Sequence, residues 1–326
     1  MTVLFVCLAI IVFIPAVLAV MSVIIAKGVE KSFPPNGKFI DIDGAKIHYL
    51  DEGQGQAIVM VHGLAGQTGN FSYALLSRLA KNFRVIIIDR PGSGYSTRPA
   101  GMPARITAQS EVVAKFIKKL GLDRPLLVGH SMGGAVSLGV ALNHPECVGG
   151  LALIAPLTHP MTVVPKSFRA INISSALMRR LIAWTLAVPM TMVRGKKTIK
   201  LIFGPERMPR DFATAGRGVL SLRPQSFYGA STDLNAASED LPSMEARYTS
   251  LNLPINILYG KQDQVLDWGV HGAAMKKKLP ALELETVTGG HMLPVTMPDH
   301  VATWIATAAM RIVPAHDAAG LARRAS

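Results

Sequence analysis

The feature that most constrains the fold is a regular alternation of short apolar runs with amphipathic segments. The predicted strands, most of them apolar, are "AIVMVHG" (57–63), "FRVIIIDRPG" (83–92), "PLLVGH" (125–130), "VGGLALIAP" (148–156), "PINILYG" (254–260) and "LELETVTG" (282–289). Segments with helical spacing lie between or after them, at 69–82, 106–121, 131–145, 268–279 and 298–311. Continuous apolar strands that alternate with helices indicate a parallel sheet covered on both faces. We therefore predict an α/β fold whose ligand site lies at the carboxyl ends of the strands.

Two other segments complete this organisation. Before the alternation begins, two strands are predicted to meet at Asp43-Gly44, a pair of residues typical of a hairpin. Residues 157–245 interrupt the alternation, because they are helical in pattern, rich in Met and Pro, and twice as rich in basic as in acidic residues. We predict a core formed by 38–156 and 246–312, with 157–245 as a helical cap inserted over the sheet.

The N-terminal segment is long and apolar enough to cross a membrane. Residues 2–26 contain no charged side chain, and as a helix rising about 1.5 Å per residue they exceed the ~30 Å hydrocarbon core. A cleaved signal peptide ending at Ala19 is the alternative, but it would require a basic start and a shorter apolar run. We predict a single-pass anchor over 1–30, and three lysines within 27–38 favour the cytoplasmic side for the rest of the chain. The tail, 313–326, is predicted to be flexible.

Charge and cysteine content narrow the function further. A net charge of +13 suits nucleic acid, a membrane surface or an acidic substrate. Nucleic acid is not expected, since the basic residues lack interleaved aromatic residues. The two cysteines, Cys7 and Cys147, lie too far from any pairing pattern to indicate a disulfide framework. Neither an H-E-x-x-H motif nor a phosphate-binding G-x-x-x-x-G-K-[ST] loop occurs, so we expect no metal and no cofactor. The sequence leaves the oligomeric state open.

A serine stands where one buried strand is predicted to turn into a helix. In "LLVGHSMGGAV", Ser131 has Gly129 two residues before it and Gly133 two residues after it. A sharp strand-to-helix turn raises a serine hydroxyl above the sheet, and glycines allow the close backbone approach that this turn requires. Serine is also a common helix N-cap, but that interpretation does not explain both glycines.

A reactive serine needs a base to take its proton and a carboxylate to orient that base. Asp263 follows the strand at 254–260, and His291 follows the strand at 282–289. Both side chains are therefore predicted at the same edge of the sheet as Ser131. Asp267 is an alternative carboxylate, but it comes later and is better placed to cap the helix predicted at 268–279.

These residues belong to a larger set of motifs. The set comprises "HGLAG" (62–66), "DRPGSGYS" (89–96), "GHSMGG" (129–134), "GKQD" (260–263) and "GGH" (289–291). Residues 38–312 thereby resemble the α/β-hydrolase fold family, and within it the branch of serine esterases, lipase-like enzymes, meta-cleavage-product hydrolases and cofactor-free haloperoxidases.

The resemblance implies roles for individual residues. Ser131 would be the nucleophile, His291 the general base and later acid, and Asp263 the carboxylate that holds the imidazole. The backbone N–H groups of Leu64 and Met132 would form the oxyanion hole. The supporting turns are those of His62, Gly63, Gly129 and Gly133, and the side chain of His130 is expected to point away from Ser131. Asp89, Arg90, Gly92 and Gly94 are interpreted as a structural turn beside the site.

The serine also limits the reaction. Haloalkane dehalogenases and epoxide hydrolases of this fold place Asp at the corresponding turn, so Ser131 indicates acyl chemistry. The favoured activity is hydrolysis of carboxylic esters through an acyl-enzyme. Acyl transfer, C–C bond hydrolysis and perhydrolysis use the same residues and remain open. A catalytically inactive membrane scaffold is disfavoured, because it would be expected to lack part of the triad.

The cap sequence predicts an apolar substrate and suggests a second membrane contact. Residues 176–193 are apolar around Trp184, with Arg179 and Arg180 on one edge, a composition that suits the interface with anionic lipid. The alternative is that 176–193 forms the core of the cap itself. Six methionines of the cap are predicted to give a deformable pocket lining: Met161, Met178, Met190, Met192, Met208 and Met244.

Overall fold

The computed structural model describes residues 2–312, with side chains from residue 12 onward. The strands are β1 (Lys38–Ile42), β2 (Ala45–Glu52), β3 (Ala57–Val61), β4 (Arg84–Ile88), β5 (Leu126–His130), β6 (Gly150–Ile154), β7 (Ile255–Gly260) and β8 (Glu283–Val287). The helices are α1 (Thr2–Ser32), α2 (Gly69–Ser72), α3 (Leu76–Leu79), α4 (Ile106–Lys119), α5 (Met132–Asn143), α6 (Ala176–Trp184), α7 (Ala187–Phe203), α8 (Pro224–Glu245), α9 (Ala274–Lys278), α10 (Leu293–Thr296) and α11 (Pro298–Met310).

All eight strands form one sheet in the order β1-β2-β4-β3-β5-β6-β7-β8. From β4 to β8 neighbouring strands are parallel, whereas β2 is antiparallel to both β1 and β4. The hairpin between β1 and β2 turns at Asp43 and Gly44, both with positive φ, as predicted. The predicted α/β fold with a mostly parallel sheet is confirmed.

Both faces of the central strands β3 to β7 are buried, which explains why these strands are predominantly apolar, whereas β1 and β8 are partly exposed. Along β3, Val59 and Val61 belong to the core on one face, and Ile58 and Met60 belong to the core on the other. Helices α4 and α5 contribute to the first core, and α3 and α11 to the second. The carboxyl ends of the strands are thus held at one edge.

The chain leaves the sheet after β6 and returns at β7, and most of this excursion is helical. Helix α8 packs on α4 and α5 through Leu234, Leu241 and Met244, which are buried in the first core. Helices α6 and α7 meet at an angle of 83°. Hereafter "the cap" means residues 157–245.

Helix α1 does not end at residue 26 but continues to Ser32 and packs against the cap. Ser22 Oγ donates a hydrogen bond to the backbone oxygen of Thr185 at 3.3 Å, and Arg223 lies 3.4 Å from the carboxylate of Glu30. The segment Val12–Ser32 of α1 is long and apolar enough to span a bilayer, and no other unbroken helix within residues 2–312 meets both conditions. The predicted flexible tail, 313–326, lies outside the described residues.

Two predicted helices have a different form in the structure. The segment 69–82 contains the two short helices α2 and α3, and the break between them leaves Phe71, Leu75 and Leu79 buried in the second core. The segment 268–279 begins with a wide π turn at Gly269–Ala273 before α9. In both cases tertiary packing bends a chain whose spacing alone suggested one straight helix.

Candidate active site

Ser131 occupies a strained turn between β5 and α5. Its φ of 54° and ψ of −122° are unusual for a residue with a side chain. A Cβ on Gly129 would lie 2.6 Å from the backbone oxygen of Gly133, and a Cβ on Gly133 would lie 2.0 Å from that of Val61. Both glycines are therefore required by close backbone approach. The N-cap interpretation is wrong, since the Ser131 side chain makes no capping hydrogen bond to α5.

His291 and Asp263 meet at the same edge of the sheet. His291 Nδ1 lies 2.6 Å from Asp263 Oδ2, and both side chains are buried. The other carboxylate oxygen of Asp263 accepts the N–H groups of Val265 at 2.7 Å and Leu266 at 3.0 Å. Burial by itself would raise the pKa of Asp263, but His291 and these two amides outweigh it and hold the pKa below its ordinary value.

Asp267, the alternative carboxylate, has a different role. Its Oδ1 accepts the N–H of Val270 at 2.9 Å, at the start of the wide turn before α9. This is a capping contact of the kind predicted for it. The structure therefore pairs His291 with Asp263.

Ser131 and His291 line one cavity of about 360 Å³. Ser131 Oγ makes no hydrogen bond to His291 among the described residues, and such contacts in ligand-free hydrolases often close only when substrate binds. A cavity of this size is in the range of small-ligand pockets. The two groups are placed to act on one bound molecule.

The turn after β3 brings a backbone amide to the same place. A Cβ on Gly63 would lie 2.9 Å from Ser131 Cβ, so this close approach requires glycine. Within residues 2–312, neither the Leu64 N–H nor the Met132 N–H has a backbone acceptor. Leu64, like Ser131, lines the cavity. The Leu64 N–H therefore lies at the cavity wall without a backbone partner among the described residues.

Two buried histidines surround this site and are neutral. Burial, followed by the charge of Arg90, lowers the pKa of His62 to about 4. Burial, followed by His291, lowers the pKa of His130 to about 3. His130 makes no hydrogen bond to Ser131 but stands beside His291, with its Nε2 3.0 Å from the His291 backbone oxygen. The sequence did not suggest this contact with His291.

The cap supplies most of the apolar wall of the cavity. Its lining includes the side chains of Phe168, Met192, Ile199, Ile202, Phe203, Met208, Phe212, Val219, Leu220 and Leu222. Of the six cap methionines, Met192 and Met208 line this cavity, whereas Met244 is buried in the core against α5 and Met178 is exposed. The prediction of a methionine-rich lining is therefore correct only in part.

The turn "DRPGSGYS" is structural, as interpreted, but one of its residues reaches the site. The carboxylate of Asp89 accepts the N–H groups of Thr68 at 2.7 Å and Tyr95 at 2.9 Å. Arg90 contacts the backbone of the Gly63 turn and is paired with Asp233 of the cap. Sequence reasoning missed Asp233, because an acidic residue in an otherwise ordinary helix carries no local signal.

Buried neutral histidines predict that the protein loses stability in mild acid. Burial lowers the pKa of His62 to about 4, of His130 to about 3 and of His271 to about 4. In the unfolded chain these histidines have a pKa of about 6.5. Between about pH 6.5 and 4 the unfolded state therefore binds more protons than the folded state, and lowering the pH favours unfolding. The free energy of unfolding should fall by up to about 1.4 kcal/mol per pH unit for each histidine.

Urea unfolding of the full chain in detergent at pH 7.5, 6.0 and 5.0 measures this effect. His271→Asn should flatten the pH dependence, since an amide can still accept from the amides of residues 158 and 159, which contact His271 Nδ1 at 3.3 Å. His300→Gln is the matched control, because His300 is exposed. A free energy of unfolding that stays constant from pH 7.5 to 5.0 would contradict the prediction.

Comparison with known proteins assigns the family to which this geometry belongs. Residues 56–298 match the family model for the alpha/beta hydrolase fold. The chain belongs to the α/β-hydrolase fold family. Haloalkane dehalogenase 2 of Mycobacterium tuberculosis is 26% identical over 275 residues, which cover 82% of this chain and 86% of that protein. The 2-hydroxy-6-oxononadienedioate/2-hydroxy-6-oxononatrienedioate hydrolase of Burkholderia vietnamiensis is 27% identical over 257 residues, which cover 76% and 86%.

Solved structures show the same fold. A bacterial membrane phospholipase A superposes with a TM-score of 0.67 at 22% identity, covering 95% of this chain and 96% of that one. The relatives of this α/β-hydrolase thus include hydrolases of different bond types. The family alone leaves the substrate open.

Proposed function

We propose that this α/β-hydrolase is a membrane-anchored serine hydrolase that cleaves carboxylic esters with apolar acyl groups. The observation that carries the proposal is that Ser131, in its strained turn, shares one apolar cavity with His291, whose Nδ1 is bonded to the buried Asp263. These are the three groups that acyl transfer from an ester to water requires, in the order along the chain that this family uses.

The proposed reaction has two halves. Ser131 Oγ attacks the ester carbonyl while His291 Nε2 takes the hydroxyl proton, and Asp263 stabilises the imidazolium that forms. The tetrahedral intermediate collapses as His291 returns the proton to the leaving alcohol, which leaves an acyl-Ser131. A water molecule, deprotonated by His291, then attacks the acyl carbon, and Ser131 recovers its proton as the carboxylic acid departs.

The negative oxygen that develops in each half needs donors that are already in place. The N–H groups of Leu64 and Met132 are suited to this. Met132 directly follows Ser131, Leu64 follows the Gly63 that closely approaches Ser131, and neither N–H has a backbone acceptor among the described residues. Removing one such donor costs about 3–4 kcal/mol in a known serine hydrolase. Position 64 needs only a backbone amide, so its side chain can vary.

The residue at position 131 distinguishes this chain from haloalkane dehalogenases. Dehalogenases of this fold use Asp at the turn, and the present chain has Ser there. The Burkholderia relative supports C–C bond hydrolysis as the second candidate, since that protein is a hydrolase of an oxo-dienedioate. Parallel assays with an alkyl ester and a vinylogous 1,5-diketone distinguish the two reactions, and competing alcohols reveal acyl transfer.

An exposed apolar face supports action at a membrane. The cap helices α6 and α7 expose large apolar side chains next to the exposed side chains of α1, against which they pack. The exposed large apolar residues of α6, α7 and the link between them are Leu177, Met178, Leu181, Leu186, Met190, Met192 and Val193. This exposure argues against the alternative in which 176–193 is only the core of the cap. Met192 is both exposed and part of the cavity wall, so the face adjoins the site.

The charges at the cavity support contact with anionic lipid. The cavity lining includes Lys196 and Arg217, and within residues 2–312 it includes no carboxylate. Basic residues beside an apolar face suit the headgroup region of an anionic bilayer. The structural likeness to a membrane phospholipase A is consistent with a lipid ester as substrate. We predict that the catalytic domain lies on the cytoplasmic side of the membrane. An exposed cysteine engineered into this domain should then resist a membrane-impermeant thiol reagent in intact cells.

The carboxylate assignment makes a direct prediction. Asp263→Asn should lower kcat/KM for a short p-nitrophenyl ester by about 10³–10⁴-fold, because the amide cannot hold the correct imidazole tautomer or stabilise its charge. Asp267→Asn is the matched control and should change kcat/KM by less than about threefold, since the carboxylate of Asp267 caps the Val270 N–H and makes no hydrogen bond to His291 among the described residues. A larger loss in Asp267→Asn than in Asp263→Asn would reverse the assignment.

A further inference from the structure

One arginine of the structural turn contacts the backbone that precedes Leu64. Arg90 is fully buried, and its guanidinium donates to the backbone oxygens of the two residues before Leu64. Nε donates to His62 O at 3.0 Å, and Nη2 donates to Gly63 O at 2.9 Å. The backbone N–H of Arg90 donates to His62 Nε2 at 3.0 Å, so the proton of this neutral imidazole is on Nδ1, from which it donates to Gly63 O at 2.8 Å.

The oxygen of Gly63 has particular importance because it belongs to the peptide group that carries the Leu64 N–H. A trans peptide is planar, and its C=O and N–H point in opposite directions. Gly63 O accepts from Arg90, from His62 and, at 3.2 Å, from the N–H of Gly66. Holding this oxygen on one side therefore aims the Leu64 N–H to the other side. The charged donor also polarises the peptide, which strengthens the N–H as a donor.

The cap holds the arginine in turn. Arg90 Nη1 donates to Asp233 Oδ2 at 2.6 Å, and Asp233 lies on α8 with its carboxylate fully buried. The same Nη1 lies 2.6 Å from Gln109 Oε1, and Arg98 donates to the other oxygen of Asp233. A buried guanidinium requires such a partner, because an unpaired charge in this position is strongly unfavourable.

We propose that Arg90 and Asp233 are positioning residues that make the orientation of the Leu64 amide depend on how the cap is seated. This inference rests on the proposed function, in which that amide binds the oxyanion. The cap then has a role besides lining the acyl pocket: its helix α8 completes a chain of contacts from Asp233 through Arg90 to the Gly63–Leu64 peptide.

The test replaces Asp233 by Asn in the full chain, with Asp240→Asn as matched control. Asp240 lies on the same helix, is also buried, and also joins α8 to the core. Its Oδ2 accepts two hydrogen bonds from Thr107, one from the backbone N–H at 2.8 Å and one from the side-chain hydroxyl at 2.7 Å. Its contacts do not include the Gly63 turn. Both variants should weaken a contact between α8 and the core, but only Asp233→Asn removes the negative charge that pairs with Arg90 and so weakens the connection to the Leu64 amide.

The measurements are kcat and KM for p-nitrophenyl butyrate, and the affinity for an alkyl trifluoromethyl ketone, which forms an oxyanion on the reactive serine. Asp233→Asn should lower kcat by about tenfold to a hundredfold with KM changed by less than about threefold. The ketone affinity should fall by a similar factor. Asp240→Asn should leave kcat and ketone affinity within about threefold of the wild type.

A second variant keeps the test decisive if Asp233→Asn does not fold. Arg90→Lys keeps a cation to pair with Asp233, but a single ammonium cannot reach Asp233, His62 O and Gly63 O together. It should show the same loss in kcat and ketone affinity. If Asp233→Asn and Arg90→Lys lose no more kcat than Asp240→Asn, or lose it without loss of ketone affinity, the proposed coupling is wrong.

Ser131→Ala in the same assay separates this outcome from failure of the proposed function. Activity that survives Ser131→Ala would overturn the proposed function itself. Activity that requires Ser131 but is insensitive to Asp233→Asn and Arg90→Lys would overturn only the coupling between cap and amide.

Discussion

Ser131→Ala should abolish covalent labelling by a fluorophosphonate and lower kcat for short p-nitrophenyl esters by about 10³–10⁶-fold. The strained turn presents this hydroxyl to the cavity that it shares with His291, and the loss removes the only group proposed to form the acyl-enzyme. His291→Ala should cause a loss of similar size. Because the groups act as one unit, the double variant should be little worse than either single variant.

The cavity itself offers the matched control. Ser93, Ser221 and Ser226 also line it, so accessibility alone does not distinguish Ser131. Ser226 donates its hydroxyl proton to the backbone oxygen of Leu220 at 2.8 Å and has no imidazole partner among the described residues. Ser226→Ala should therefore keep full labelling. Labelling that persists in Ser131→Ala, or that disappears in Ser226→Ala, would move the nucleophile elsewhere.

The acyl group can be examined in the same experiment. The cap side of the cavity is apolar, so kcat/KM should rise as the acyl chain lengthens and gains buried area, at about 0.8 kcal/mol per buried methylene until the cavity is full. A series of p-nitrophenyl esters from acetate to laurate measures this trend. Phe212→Ala widens the wall and should move the optimum to longer chains.

The second large effect is expected at the apolar face formed by α1 with α6 and α7. When Leu177 and Val193 are both replaced by Asp, the rate at which the protein hydrolyses an ester dissolved in the bilayer should fall at least tenfold. Hydrolysis of a short soluble ester should stay within about twofold. The reason is that these side chains are 75% and 81% exposed, and carboxylates there disfavour insertion of the cap into an apolar and anionic interface.

The full chain in proteoliposomes containing phosphatidylglycerol is the appropriate system. Removing α1 would also remove the contacts of Ser22 with Thr185 and of Glu30 with Arg223, and would expose the cap face beneath it. Met310→Asp is the matched control, because Met310 is also exposed, at 59%, but lies far from the cap. It is at the end of α11, and Ile312, two residues later, packs against Gly150 at the amino end of β6, whereas the cap covers the carboxyl ends of the strands. An equal loss on soluble and bilayer substrates would show that the face has no membrane role.

Much of the site could be predicted because its parts are specified by local chain geometry. The turn at Ser131 needs glycine at positions 129 and 133, and that need is visible in eleven residues of sequence. Asp263 and His291 come after β7 and β8, and parallel neighbouring strands place their carboxyl-terminal loops at one edge of the sheet. The choice of Asp263 over Asp267 also had a local basis, since one comes directly after the strand and the other precedes a helix.

What the sequence by itself determined was therefore the sheet, the apolar N-terminal helix and the edge of the sheet at which Ser131, Asp263 and His291 come together. Only the tertiary structure decided that α1 continues to Ser32 and packs on the cap, that the apolar side chains of α6 and α7 face outward, and that Asp233 meets Arg90. The physical reason is that periodicity reports which residues of one element share a face, but not what covers that face. A buried ion pair between residues 143 positions apart depends on how a cap helix is seated, and neither partner carries a local sign of it.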